Sequence, residues 1–289
     1  MAGTVSLVRE VSDTALWAAA FRAQETERKD ALFRDRFAAR LAGTRGFEIA
    51  AALSTQTHGV SWVTRTYLFD EFLVREIAKG VDLVVNLGAG LDTRPYRMAL
   101  PRGLRWVEID APEIIVHKES ALSGEKPNCN VERIALDLRD FDATRVVLRK
   151  FNQSAGKILV LTEGVLIYLA AEDVATLASE LSSLSHFRAW VLEVVSPEAL
   201  QNMKHTAGRR MDSEEASFQF GPAEGPNFFK PYGWKVSEVR GVLKTAVKLG
   251  RTPIDPQVSH LVPDSPDSGL PWIGVCVLEP HEPGCVSPI

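Results

Sequence analysis

The chain has 289 residues, 45% of them hydrophobic and 24% charged, and a formal net charge of -4. A chain of this size and balance can bury a full core without metal or disulfide support. The composition excludes a global basic field for nucleic acid or an anionic membrane, and no apolar run nears the roughly 20 residues that span a bilayer.

Cys129, Cys276 and Cys285 are far apart and odd in number, so they form no disulfide framework and no Cys-x-x-Cys metal pair. Arg9, Glu10 and Asp13 precede any apolar run, which is wrong for a secretory signal. The expectation is a cytoplasmic protein with reduced thiols, no resident metal and no membrane or nucleic-acid partner.

In chain order, Ser12-Asp13 is expected to cap a first helix carrying Leu16, Trp17, Ala20 and Phe21. Asp30 is expected to cap a second, with Leu32, Phe33, Phe37 and Leu41 on one face and Gly43 as its stop. Arg22, Arg28, Lys29, Arg34, Arg36 and Arg40 are interleaved with acids, and most of them read as a solvated face. A third helix covers 60–79, closed by Gly80.

Val81-Asp82-Leu83-Val84-Val85-Asn86-Leu87 then reads as a buried strand ending in Gly88-Ala89-Gly90, after which Leu91-Asp92-Thr93-Arg94-Pro95 opens a helical pattern. A strand that breaks at Gly-x-Gly before a helix is how an open α/β sheet makes a nucleotide crevice. Residues 104–110 form the second strand, and Pro112 opens a helix through Ile115. Asp110 lies roughly 20 residues past the turn, where such folds set an acid against ribose hydroxyls. It equally suits a helix N-cap. Glu108 is expected to point away from it.

Strands follow at 131–136, 157–161 and 188–195, with a capped helix from Ala171. This alternation predicts a mostly parallel, doubly wound α/β sheet. Residues 197–232 are polar and glycine-rich and break the alternation, as lids and binding loops do. A short strand from Gly233, a helix from Val239 to Leu249, a loop at 252–271, a last strand at 271–278 and a loose tail complete the chain.

A dinucleotide site needs a small third residue where pyrophosphate approaches, and Thr93 is β-branched. No phosphate-binding lysine motif is present either. Asp110, Asp137 and Glu163 stand at the ends of successive strands. Such acids suit hydroxyls, an exocyclic amine and an ammonium, and repel a diphosphate. S-adenosylmethionine has adenosine and no phosphate. A nicotinamide-dependent oxidoreductase is the disfavoured alternative, and a cofactor-binding protein without turnover is another.

Val84-Val85-Asn86-Leu87-Gly88-Ala89-Gly90-Leu91-Asp92-Thr93-Arg94 resembles the first motif of the leucine carboxyl methyltransferase family. Trp106 to Pro112 resembles its second, Asp137-Leu138-Arg139-Asp140 its third and Glu163 to Tyr168 its fourth. Arg65 to Asp70, Leu16-Trp17 and Leu32 to Asp35 extend the similarity over about residues 12–250. Asp35-Arg36-Phe37 departs from the family's Asp-Pro-Tyr, which puts the start of the second helix in question.

The resemblance implies a Rossmann-like class I methyltransferase fold, with an N-terminal helical cap at 1–80. An α/β domain at 81–289 would carry a lid insertion, 197–232, before the sixth strand. It implies S-adenosyl-L-methionine held by Gly88, Ala89 and Gly90 at the methionine part and Asp110 at the ribose. Asp137 and the Leu138 backbone would take the adenine, Glu163 the ammonium, and Arg65 and Arg22 the carboxylate. The implied reaction is O-methylation of a small molecule, a secondary metabolite in some members. A carboxylate acceptor needs no base, whereas a phenolic hydroxyl benefits from one. The six histidines are scattered; His205 and Tyr168 are the candidates for a catalytic group.

Overall fold

The computed structural model describes residues 11–53, 56–206, 218–252, 254, 261–263 and 265–281. Its centre is strand β1, Leu83–Leu87, in which all five residues are buried. A strand buried on both faces needs apolar side chains at both parities, which is why Leu83, Val84, Val85 and Leu87 do not alternate with polar residues; the buried Asn86 is satisfied by donating to Asp92 at 2.9 Å. Strands β2 (Arg105–Asp110), β3 (Asn130–Ala135), β4 (Ile158–Thr162), β5 (Phe187–Val195), β6 (Trp234–Gly241) and β7 (Ile273–Pro280) complete one sheet in the order β3-β2-β1-β4-β5-β7-β6. The first five are parallel, and β7 lies antiparallel between β5 and β6. The order reverses between β1 and β4, which opens a crevice at their carboxyl ends.

Helices cover both faces. On one, Leu83, Val85 and Leu87 meet helix α6 (Phe141–Ser154) and helix α7 (Ala171–Ser183). On the other, Val84 meets Leu68, Phe69, Phe72 and Leu73 of helix α3 (Gln56–Ala78) and Val242 of helix α9 (Val242–Lys248). Helix α1 (Val11–Thr26) and helix α2 (Ala38–Leu53) form a third cluster, where Trp17, Phe21, Phe37 and Leu41 pack with Leu91 and Tyr96 beyond the glycine turn. Two short helices, α4 (Arg94–Arg97) and α5 (Pro112–Ala121), follow β1 and β2; helix α8 (Pro197–Thr206) follows β5. Among the described residues no helix is long and apolar enough to cross a membrane.

Several boundaries differ from the expectation. Helix α1 already includes Val11, so Asp13 sits in its first turn, paired with Arg45. Helix α2 begins at Ala38, not near Asp30. The Asp35 carboxylate accepts the Phe37 N–H at 3.1 Å and its carbonyl accepts the Ala38 N–H at 3.1 Å, so the turn is made there. Gly43 does not stop the helix; with φ 55° it kinks it. The helical pattern after the glycine turn amounts to four residues.

Strand β6 runs on to Gly241, past the expected helix start at Val239, because pairing with β7 extends to Gly274. The 197–232 stretch holds α8 and a 3-10 turn at Gly225–Tyr232; Arg209, Arg210, Met211 and the rest of 207–217 lie outside the described residues. Phe229 of that turn is fully buried, edge-on to Trp190 at 5.2 Å. The tail after His281, with Cys285, is also outside them, as is His260.

Candidate functional site

The turn after β1 closes around backbone hydrogen bonds. Gly88 and Gly90 have φ of +66° and +48°, a region that disfavours any Cβ. At Gly88 a Cβ would also stand 2.6 Å from Val165 Cγ2, so the turn and the loop after β4 fit only with glycine. The N–H groups of Gly88 and Ala89 donate to the Ile109 carbonyl at 2.9 and 3.2 Å. The Gly90 N–H donates to Asp110 Oδ2 at 2.6 Å, and the Ala111 N–H to Asp110 Oδ1 at 2.7 Å. Asp110 is therefore no N-cap; Ala111 holds that position. Burial pushes the Asp110 carboxyl up, partly offset by those two N–H groups. Each oxygen keeps a further lone pair for a ligand.

Glu108 does not face away from Asp110. Residues two apart on a strand share a face. Glu108 is instead kept from the crevice by burial against Lys118 Nζ at 2.9 Å and Arg133 Nε at 2.8 Å.

Gly88, Ala89, Gly90, Asp110 and Glu163 line one cavity of about 240 Å³, together with Arg22, Arg65 and Tyr168. That is far more than the ~10–15 Å³ needed by one water. Glu163, at the end of β4, is not a free acid. Its Oε1 accepts from Arg65 Nε at 3.1 Å and its Oε2 lies 2.7 Å from Arg94 Nη1. Burial opposes its charge, but Arg94 and Arg65 outweigh that and hold its carboxyl below the usual range.

Arg94 also meets Asp70 Oδ1 at 2.7 Å and Asp92 Oδ2 at 3.0 Å. Burial works against its charge; Asp92, Glu163 and Asp70 more than compensate. Burial likewise raises Asp92, yet Arg94 and Lys118 outweigh it and hold that carboxyl at about 2. Acids and arginines thus neutralise one another here. Phosphate is disfavoured less by unpaired negative charge than by the turn itself, whose three N–H groups already have protein acceptors.

The remaining candidates divide. Arg22 lines the cavity but donates Nε to Asp35 at 2.9 Å and Nη2 to the Leu91 carbonyl at 2.6 Å. Tyr168 lines it too; its hydroxyl donates to Thr14 Oγ1 at 3.4 Å, and burial raises its pKa, so it stays a protonated phenol. His205 is exposed, contacts the Gln201 carbonyl, and is not among the lining residues; neither is any other described histidine. Asp137 and Leu138 lie beyond β3 outside the lining, and Asp137 is turned onto Arg139 at 2.7 Å.

The family profile of leucine carboxyl methyltransferase matches residues 15–182. This chain belongs to the leucine carboxyl methyltransferase family. Within the family it is 35% identical over 199 residues to a "Putative S-adenosyl-L-methionine-dependent methyltransferase" of Mycobacteroides abscessus, an alignment taking in 63% of this chain and 64% of that protein. The first curated relatives are matched over about 64% of their own length. A protein of the same description from Frankia alni is 31% identical over 260 residues, 82% of this chain and 88% of its own. Among solved structures, one described as a putative methyltransferase from Thermobifida fusca superposes with a TM-score of 0.55 over 96% of each chain, at 15% identity, which speaks to the fold alone.

In this family member the sequence reading missed Trp62, Asp92, Arg94 and Glu193, all of which line the cavity. Glu193 had a visible signal: it is the one acid in the otherwise apolar run Val191-Leu192-Glu193-Val194-Val195. Arg94 and its neighbour Asp92 stood inside the first motif, but the partners that draw Arg94 into the site, Asp70 and Glu163, are distant in sequence.

Proposed function

We propose that this chain is an S-adenosylmethionine-dependent O-methyltransferase acting on a carboxylate of a small molecule. One observation carries the reading. A single crevice sets the clasped Asp110 carboxylate near a turn whose Gly88, Ala89 and Gly90 N–H groups already have protein acceptors, and the same crevice holds the Glu163–Arg65 pair. That donor set fits an adenosyl amino acid: hydroxyls at Asp110, an ammonium at Glu163 and a carboxylate at Arg65. The cofactor supplies a methyl group activated on a sulfonium. The protein's part is to orient the acceptor in line and exclude water, which is worth about 7–11 kcal/mol for well-held neighbours.

No histidine is among the described lining residues and Tyr168 stays protonated, which supports a carboxylate acceptor, already ionised at neutral pH. Tyr168 and Phe218, with ring centroids 5.4 Å apart, and Met203 and Ile273 give an apolar wall suited to the acceptor's body. We assign the acceptor side to the N-terminal helical cap (1–80) and the lid (197–232), which contribute Thr14, Trp17, Met203 and Phe218 to the lining.

Calorimetry with S-adenosylmethionine, S-adenosylhomocysteine and NAD is the direct test. Binding of the two sulfur ligands and not NAD is expected; binding of neither sulfur ligand ends the proposal. Methyl release as a base-labile ester from a carboxylate acceptor separates this reading from phenol methylation, which gives a stable ether.

A further inference from the structure

Arg65 is gripped at several points. Its Nε donates to Glu163, and its Nη1 lies 3.1 Å from both oxygens of Glu193. Its guanidinium carbon stands 4.5 Å from the centroid of the Trp62 ring. Gly164 leaves room for it: a Cβ there would come within 3.4 Å of Nη1 and 3.5 Å of Nη2. Nη2 has no acceptor among the described residues, while Arg65 itself lines the cavity.

A guanidinium is a rigid planar fork, so fixing two of its nitrogens fixes the third. With Glu163 alone, Arg65 is free to turn into a two-point pairing that uses Nε and Nη2 together, the geometry carboxylates favour. Glu193 prevents this by holding Nη1. It does so from within an apolar strand, where an acid is expensive to bury without a partner, and burial raises its pKa even with Arg65 beside it.

We propose that Glu193 is a positioning residue: it holds Arg65 so that Nη2 is left for the carboxylate of the bound adenosyl amino acid. This rests on the cofactor reading above. The test compares S-adenosylhomocysteine with its decarboxylated analogue, which keeps the ammonium and the adenosine, by calorimetry on the full chain. In Glu193→Ala, affinity for S-adenosylhomocysteine should fall about tenfold or more, while the analogue holds within about twofold. Glu193→Gln, close in shape and still able to accept from Nη1, should lose less, and it keeps the test valid if the alanine variant folds poorly.

Equal losses for the two ligands, or no loss for either, overturn the assignment. So does wild-type protein that binds both equally. Wild-type protein that binds neither ligand overturns the cofactor reading itself, and this assignment with it.

Discussion

The Asp110 carboxylate accepts the Gly90 N–H at 2.6 Å, across 20 residues of chain and from the end of one strand to the turn after another. This bond ties the proposed ribose-binding acid to the loop that forms the crevice floor. Binding and local stability are therefore linked at Asp110.

Asp110→Ala should weaken S-adenosylhomocysteine binding at least tenfold and also lower the melting temperature. Losing a carboxylate that accepts two backbone N–H groups costs about 1–3 kcal/mol, roughly 2–5 °C for a chain this long. Calorimetry and thermal melting of the same preparation check it. Unchanged affinity would remove Asp110 from the site, whatever the melting temperature does.

Gly88→Ala and Gly80→Ala separate strain from collision. Both glycines have positive φ, but only Gly88 has Val165 within 2.6 Å of a would-be Cβ; Gly80 has open space. Gly80→Ala should lose about 1–2 kcal/mol, the ordinary penalty for a left-handed residue. Gly88→Ala should lose distinctly more and reduce cofactor affinity as well. Equal losses in denaturant titrations would mean that the Gly88–Val165 contact yields freely.

Asp92 makes stability depend on pH with a definite sign. Its carboxyl is held at about 2 in the folded chain against 3.8 ordinarily, so the folded state favours the charged form. The corresponding stabilisation, about 2 kcal/mol, is present above pH ~4 and disappears as pH falls toward about 2. The stability difference between wild type and Asp92→Asn should therefore be constant at neutral pH and shrink on acidification. A difference that grows below pH ~4 would contradict the pairing with Arg94.

Tyr168→Phe tests whether the reaction uses a base. A general base contributes about 10²–10⁴-fold. With a carboxylate acceptor and a protonated Tyr168, the variant should keep kcat within about tenfold of wild type, and its rate should be flat from pH ~6 to ~9. A fall of a hundredfold, with a rate that climbs into alkaline pH in the wild type, would favour a hydroxyl acceptor activated by Tyr168.

Much of the sheet was readable from sequence because buried parallel strands leave short apolar runs and glycine marks where they break. Val81 to Gly90 and Leu104 to Asp110 are of that kind, and both strands form within two residues of expectation. The second N-terminal helix was misplaced because Asp30 and Asp35 look alike as caps; only Asp35 also meets Arg22 and Thr93. Helix α9 begins later than its periodicity implies because a partner strand claims Val239 to Gly241 first.

What the linear chain determined was the α/β alternation, the glycine turn and the placing of Asp110, since local backbone preference and burial period act over a few residues. What only the tertiary structure decided was the charge state of the crevice. Arg65 reaches Glu163 across 98 residues and Glu193 across 128, and Arg94 meets Asp70, Asp92 and Glu163 at once. Electrostatic energy depends on distances in space and on the water excluded between charges, and neither is written in the spacing of residues along the chain.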